Sequence, residues 1–192
     1  MKIIRLALLF ALALGALVVP VDLKAKTAAL SSVAPARQPD ISINGYYAQD
    51  KARPGSTIQA AVVIDIPKGY HINANKTLSK FLIPTTLKMD DVGDGVRVNP
   101  VSYPRAIVRK FSFSEDQLAV YEGRAVMRFS LTIPATFPHS KMLLKVRVKY
   151  QSCSDEVCFA PTTRELTMWL GMAGTNETPK RTNGNIFGGK KG

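Results

Sequence analysis

Cysteine and histidine are both scarce in this chain: two of each, Cys153 and Cys158, His71 and His139, in 192 residues. A zinc site would have to use all four. His139 lies in the turn-like Pro138-His139-Ser140, and nothing in the sequence brings it near the cysteines. No metal is therefore expected. Long apolar runs are also lacking. After Val19 none is long enough to span a bilayer, and no cysteine closely follows the first run to carry a lipid. The chain has no basic helix and no aromatic-rich basic stripe, which argues against nucleic acid as a partner. No stretch shows a helical period with caps, and there is no internal repeat.

The N-terminus carries the strongest targeting signal. Lys2 and Arg5 precede an apolar run from Leu6 to Val19, Pro20 breaks it, and small residues follow at Ala25, Ala28 and Ala29. A basic start, a short apolar stretch and small residues near a cut site describe a secretory signal peptide, expected over 1–29. The run is about 14 residues, short of the roughly 20 that cross a bilayer as a helix. An uncleaved membrane anchor is the competing reading. Removing 29 residues leaves about 163, enough for one domain with a core. The removed segment holds four basic residues and one acidic, a net +3 of the chain's +12, which leaves +9. The basic residues are scattered through strand-like segments and gathered only in Lys180-Arg181 and Lys190-Lys191. The charge reads as solvated surface plus a basic tail; binding to an anionic surface through that tail is the alternative.

Between these ends the pattern is β. Residues 30–40 are small, polar and proline-containing, a linker. Thr57–Ile66 is an apolar run ended by Pro67-Lys68-Gly69. Phe81–Met89, Val96–Val101 and Ala125–Ile133 are further strand candidates. Leu143–Tyr150 is the clearest: Leu144, Val146, Val148 and Tyr150 share one face, and Lys145, Arg147 and Lys149 the other. Thr163–Leu170 is the last. Short strands at this spacing predict an all-β sandwich over 41–172. Beyond Gly171 the large apolar residues are Met172, Ile186 and Phe187, so 173–192 is expected to be a disordered basic tail.

The two cysteines follow the best strand and precede the last, in or beside a hairpin connection, with Ser154-Asp155-Glu156-Val157 between them. In an oxidising compartment they should pair. As a staple the bond does little: closing a loop of about six residues contributes about 2 kcal/mol in the chain-entropy picture. The spacing is not that of a thioredoxin-type CxxC motif, and Asp155 and Glu156 tend to raise a neighbouring thiol pKa. A structural staple and a working redox pair both stay open on these grounds.

Three segments carry a resemblance. Tyr150-Gln151-Ser152-Cys153-Ser154-Asp155-Glu156-Val157-Cys158-Phe159-Ala160-Pro161 resembles the cysteine hairpin of the N-terminal periplasmic domain of the thiol:disulfide interchange protein DsbD. Gly69-Tyr70-His71-Ile72-Asn73-Ala74-Asn75-Lys76 resembles that family's segment after the second core strand, and Tyr121-Glu122-Gly123 its cap-loop region. The resemblance runs from roughly Ile41 to Leu170. It implies an immunoglobulin-like β-sandwich in which Cys153 and Cys158 exchange disulfides without a cofactor. Cys158 would be the sulfur attacked by the donor, as a component of a protein-disulfide reductase system. It implies surrounding positions at Tyr70, His71 and Asn73, a cap at Val120 and Tyr121, and a hairpin shaped by Phe159 and Pro161. The implied partners are a thioredoxin-like or membrane electron donor and oxidised periplasmic thiol proteins. Departures are a cysteine spacing one residue shorter, Ala160 where proline is common, and a sequence here without membrane or thioredoxin domains. Without those domains, electrons are expected to come from a separate protein, or the domain has kept only binding. A periplasmic immunoglobulin-like binding or assembly module with an inert disulfide is the alternative.

Overall fold

The computed structural model describes residues 38–188. The expected signal peptide, residues 30–37 of the expected linker and the last four residues lie outside the described residues. The described chain runs through twelve strands and one helical turn. These are β1 (Ser42–Tyr47), β2 (Lys51–Ala52), β3 (Thr57–Asp65), β4 (His71–Asn73), β5 (Thr86–Met89) and β6 (Arg97–Val98). They continue with β7 (Ile107–Lys110), β8 (Gln117–Tyr121), β9 (Arg124–Thr132), β10 (Lys141–Tyr150), β11 (Ser152–Cys153) and β12 (Thr162–Met172), and end with α1 (Gly184–Phe187).

The strands form three four-stranded sheets, ordered β1-β3-β9-β6, β2-β12-β10-β5 and β11-β4-β8-β7. The expected all-β sandwich is the observed fold. The longest pairings are antiparallel: β10 with β12, from Lys141 opposite Gly171 to Tyr150 opposite Thr162, and β3 with β9, from Thr57 opposite Thr132 to Asp65 opposite Arg124. Alternation explains which faces meet. On β10, Met142, Leu144, Val146, Val148 and Tyr150 are buried, while Lys145, Arg147 and Lys149 are exposed. Those apolar residues join Ile58, Ala60, Val62 and Ile64 of β3, Met127, Phe129 and Leu131 of β9, and Met168 and Leu170 of β12 in one core. Gly45 lets β1 approach β12 closely: a Cβ there would fall 2.6 Å from Met168 Cγ and Sδ.

β3 does not alternate. Its run Ala60-Ala61-Val62-Val63-Ile64 is buried throughout, as for a strand covered on both faces. The second cover comes from the segment expected to be a disordered tail. Ile186 is 5% exposed and packs on Ala61 and Val63, with Tyr46, Val126 and Phe187 around it. Polar contacts hold the same segment. Asn183 Nδ2 donates to Tyr47 O (2.9 Å), the Asp50 amide to Lys180 O (3.1 Å), the Thr182 amide to Ala48 O (2.9 Å), and Arg128 Nη2 to Ile186 O (2.7 Å). Packing therefore continues beyond residue 172, into residues 180–187 of the expected tail. Two apolar side chains suffice because β3 offers them a ready-made apolar face. The end of the expected linker is tied down too, with Pro39 buried and Gln38 Nε2 donating to Thr162 Oγ1.

Ile186→Ala should therefore destabilise the domain by about 2 kcal/mol, the low end for a buried isoleucine because the cluster is small. Urea denaturation followed by Trp169 fluorescence measures it. A change below about 0.5 kcal/mol would show that the segment after β12 adds nothing to the fold.

Candidate functional site

The third sheet carries the cysteines. Antiparallel pairing with β4 sets Cys153 opposite His71 and Ser152 opposite Ile72. Residues opposite one another in a sheet point to the same face, so the disulfide end and the His71 ring lie side by side. Ile72 and its β8 partner Tyr121 point the other way, into the main core.

The chain reverses between the two cysteines. The Ser154 amide donates to Val157 O (2.8 Å) and the Phe159 amide to Ser152 O (2.8 Å). Ser154 Oγ accepts from the amides of Glu156 (3.2 Å) and Val157 (3.1 Å), which satisfies the turn. Cys153 and Cys158 are the bridged pair between these two bonds, with Cα atoms 3.9 Å apart and an S–S bond of 2.03 Å. The two ends differ in access. Cys153 is 0% exposed, whereas Cys158 is partly exposed.

The face bearing Cys153 and His71 is covered by a small second core. Phe111, Leu118 and Val120 are buried there, with Leu82 and Phe113 packed on them. His71 stacks on Phe111, ring centroids 4.0 Å apart, and lies nearly parallel to Phe113 at 6.3 Å. The loop after β7 is fastened to the cysteine turn, because Ser112 Oγ donates to Asp155 O (2.7 Å). Asn73 Nδ2 donates to Ile83 O (3.1 Å) and Gln151 Oε1 (3.1 Å), and Gln151 Nε2 donates to Phe159 O (3.2 Å). That network ties the β4–β5 loop to the hairpin. Two buried polar atoms on this face, His71 Nε2 and Asn73 Oδ1, have no hydrogen-bond partner, and neither does Ser152 Oγ. A group left so costs about 1–3 kcal/mol.

Beside the turn lies a cleft of about 510 Å³ lined by Pro67–Tyr70, His71, Arg109, Glu122, Gly123 and Asp155. Arg109 pairs with Glu122 and stands over the Phe111 ring, 5.4 Å from its centre. Burial is the largest influence on His71 and lowers its pKa from the ordinary 6.5; the Glu122 and Asp155 carboxylates pull it back up and Arg109 lowers it further. Burial likewise raises the Tyr121 phenol above its ordinary value.

The family model described as the N-terminal region of the thiol:disulfide interchange protein DsbD matches residues 44–168. The chain belongs to this family. Among solved structures it is similar to the N-terminal periplasmic domain of ScsB from Proteus mirabilis. The TM-score is 0.47 at 12% identity, over 69% of this chain and 48% of that one. A family 123 glycoside hydrolase from Clostridium perfringens is similar with a TM-score of 0.31 at 9% identity, over 69% of this chain and 27% of the other. The chain thus spans about half the length of the ScsB structure, at 48%. No curated protein matches the sequence.

Against that DsbD family frame, the fold gathers Cys153, Cys158, His71 and Asn73 on β4 and the cysteine hairpin. Tyr70 and Phe159 meet at the rim, ring centroids 6.2 Å apart. Val120 supports the covering cluster from below. Tyr121 does not face the cysteines: it is 2% exposed in the main core, with its hydroxyl donating to Asn75 Oδ1 (2.6 Å). Tyr121-Glu122-Gly123 is the tight β8–β9 turn, where Gly123 takes φ 61°, a left-handed value that favours glycine. The cover falls instead to Phe111, Ser112 and Phe113, which sequence reasoning missed. The spaced aromatics of Phe111-Ser112-Phe113 were the available signal. His139 pairs with Asp94 (3.1 Å) rather than with His71 or a cysteine. Among the described residues no group of three or more His, Cys, Asp or Glu side chains could hold a metal.

A histidine held neutral by burial makes stability fall in acid. Its folded pKa lies below the unfolded value, so the unfolded chain binds the proton first and stability rises with pH across that interval. This part of the stability is complete above about pH 6.5 and is lost as pH falls below 6.5 toward the lower folded value. His71→Phe keeps the stacked ring and should flatten the urea-midpoint profile between about pH 7 and 5. An unchanged slope would place the titration elsewhere.

Proposed function

We propose that this chain is an exported, periplasmic thiol:disulfide exchange domain. It relays electrons through Cys153 and Cys158 between a membrane or thioredoxin-like electron carrier and oxidised periplasmic proteins. Family membership supplies the reaction class. The observation that carries the reading is the asymmetry of the bridge: Cys158 is partly exposed at the end of the turn, while Cys153 is fully buried under the Phe111–Phe113 loop. An incoming thiolate meets Cys158 first.

The exchange then follows from positions. A partner thiolate attacks Cys158 Sγ, the S–S bond breaks, and Cys153 leaves with the electron pair. The partner's second thiol, losing its proton, displaces Cys158 from the mixed disulfide and closes the partner's own disulfide. Two electrons pass from the partner dithiol to this pair, and its two protons end on the two cysteines. In the reverse direction Cys153 is the resolving thiol, already held beside the mixed disulfide on Cys158, which supplies much of the rate. No step needs a cofactor. Apolar side chains stand exposed near the rim, Val157 in the cysteine turn at 41% and Phe81, next to Leu82, at 82%. Such groups suit a partner that docks and displaces the cover.

In cells, Cys153→Ala should accumulate mixed disulfides through Cys158, and Cys158→Ala should accumulate few. If neither variant captures a partner, the exchange reading fails. The reduction potential gives an independent check. A value of about −120 to −270 mV fits an exchange protein, and one below about −300 mV fits an inert structural bond.

A further inference from the structure

The exchange chemistry leaves one group of the site without a role. His71 is 1% exposed, stacked between β4 and the Phe111–Phe113 loop, and its Nε2 has no hydrogen-bond partner. Its neighbour across the sheet is Cys153, also fully buried and on the same face. While Cys153 is locked in the disulfide it carries no proton and can donate nothing. Reduction changes that, because a thiol is a donor.

We propose that His71 is the redox-linked partner of Cys153: its Nε2 stays unpaired in the disulfide state and accepts a hydrogen bond from the Cys153 thiol once the pair is reduced. This rests on the exchange reading. In that exchange the Cys153 sulfur leaves as a thiolate and takes one of the two protons released by the partner dithiol; that S–H is the donor. The surroundings favour the neutral pair. Phe111 and Phe113 cover the ring without charge, and the nearby charges are of both signs, with Glu122 and Asp155 against Arg109. Apolar burial opposes both an imidazolium and a thiolate. An unpaired buried nitrogen in one redox state only is a cost that reduction removes, so His71 makes the disulfide easier to reduce.

Two measurements on the full chain test this. The first is the equilibrium constant for reduction of the Cys153–Cys158 disulfide by dithiothreitol. His71→Phe, which keeps the ring stack and removes the nitrogen, should make the disulfide about tenfold harder to reduce. Equal constants within about twofold would overturn the proposal. The second needs no variant: the ¹⁵N resonance of His71 Nε2 in the oxidised and reduced protein. It should move on reduction toward the position of a hydrogen-bonded acceptor; an identical resonance in both states would overturn the proposal even if the variant does not fold. A disulfide that dithiothreitol cannot reduce removes both this inference and the exchange reading. A reducible disulfide beside an unmoved Nε2 removes this inference alone.

Discussion

The site hangs on one short pairing. β11 contributes two residues and β4 three, and only Ser152–Ile72 and Cys153–His71 stand opposite one another. That register decides everything around it. It turns Ile72 inward to the main core and His71 outward, and with His71 it turns Cys153. A slip of one residue would exchange the faces, placing Cys153 in the main core and Ser152 under the aromatic loop. The register is held by what lies on each side. Ile72 is anchored in the core with Tyr121, and Asn73 is locked to Gln151 and Ile83 through its side-chain amide.

Burial outweighs charge at this site. Two carboxylates near His71 favour its protonation, yet desolvation is the largest influence and lowers its pKa. Cys153 is equally buried. The acidic residues at the tip of the turn, Asp155 and Glu156, are exposed, so water screens them. Any protection of the thiol from idle reaction therefore comes more from cover than from the acidic pair that stands out in the sequence.

What could be read in advance follows the strength of local pattern. β10 alternates over ten residues, with a lysine or arginine at 141, 145, 147 and 149 on the open face, and its fold was legible. β4 and β11 are too short for any period, and β7 is exposed at all four positions, so no apolar face marked it. These strands exist because tertiary pairing supplies partners, which local sequence does not encode. The cysteine pair was legible from spacing and compartment, its redox role and the His71 segment came through resemblance, and Phe111 and Phe113 were not found, since two aromatics in a loop look like any other pair until His71 is stacked on them. Ile186 was missed for a related reason. Its meaning lies in Ala61 and Val63, more than a hundred residues earlier.

The arrangement also separates redox chemistry from stability. The disulfide closes a loop of about six residues, worth about 2 kcal/mol at most in the chain-entropy picture. Backbone hydrogen bonds from the Ser154 and Phe159 amides also close the hairpin, independently of the two sulfurs. The main core, built on β3, β9, β10 and β12, includes neither cysteine. The sandwich therefore does not depend on the bond for its main core. Beside the disulfide lies the second, smaller core, where Phe111, Leu118 and Val120 form a cluster of three buried residues. A cover held by so few side chains and one Ser112–Asp155 hydrogen bond opens at far lower cost than the domain unfolds. The large core sets the position of β4 and β11, and the small one sets the access to Cys153.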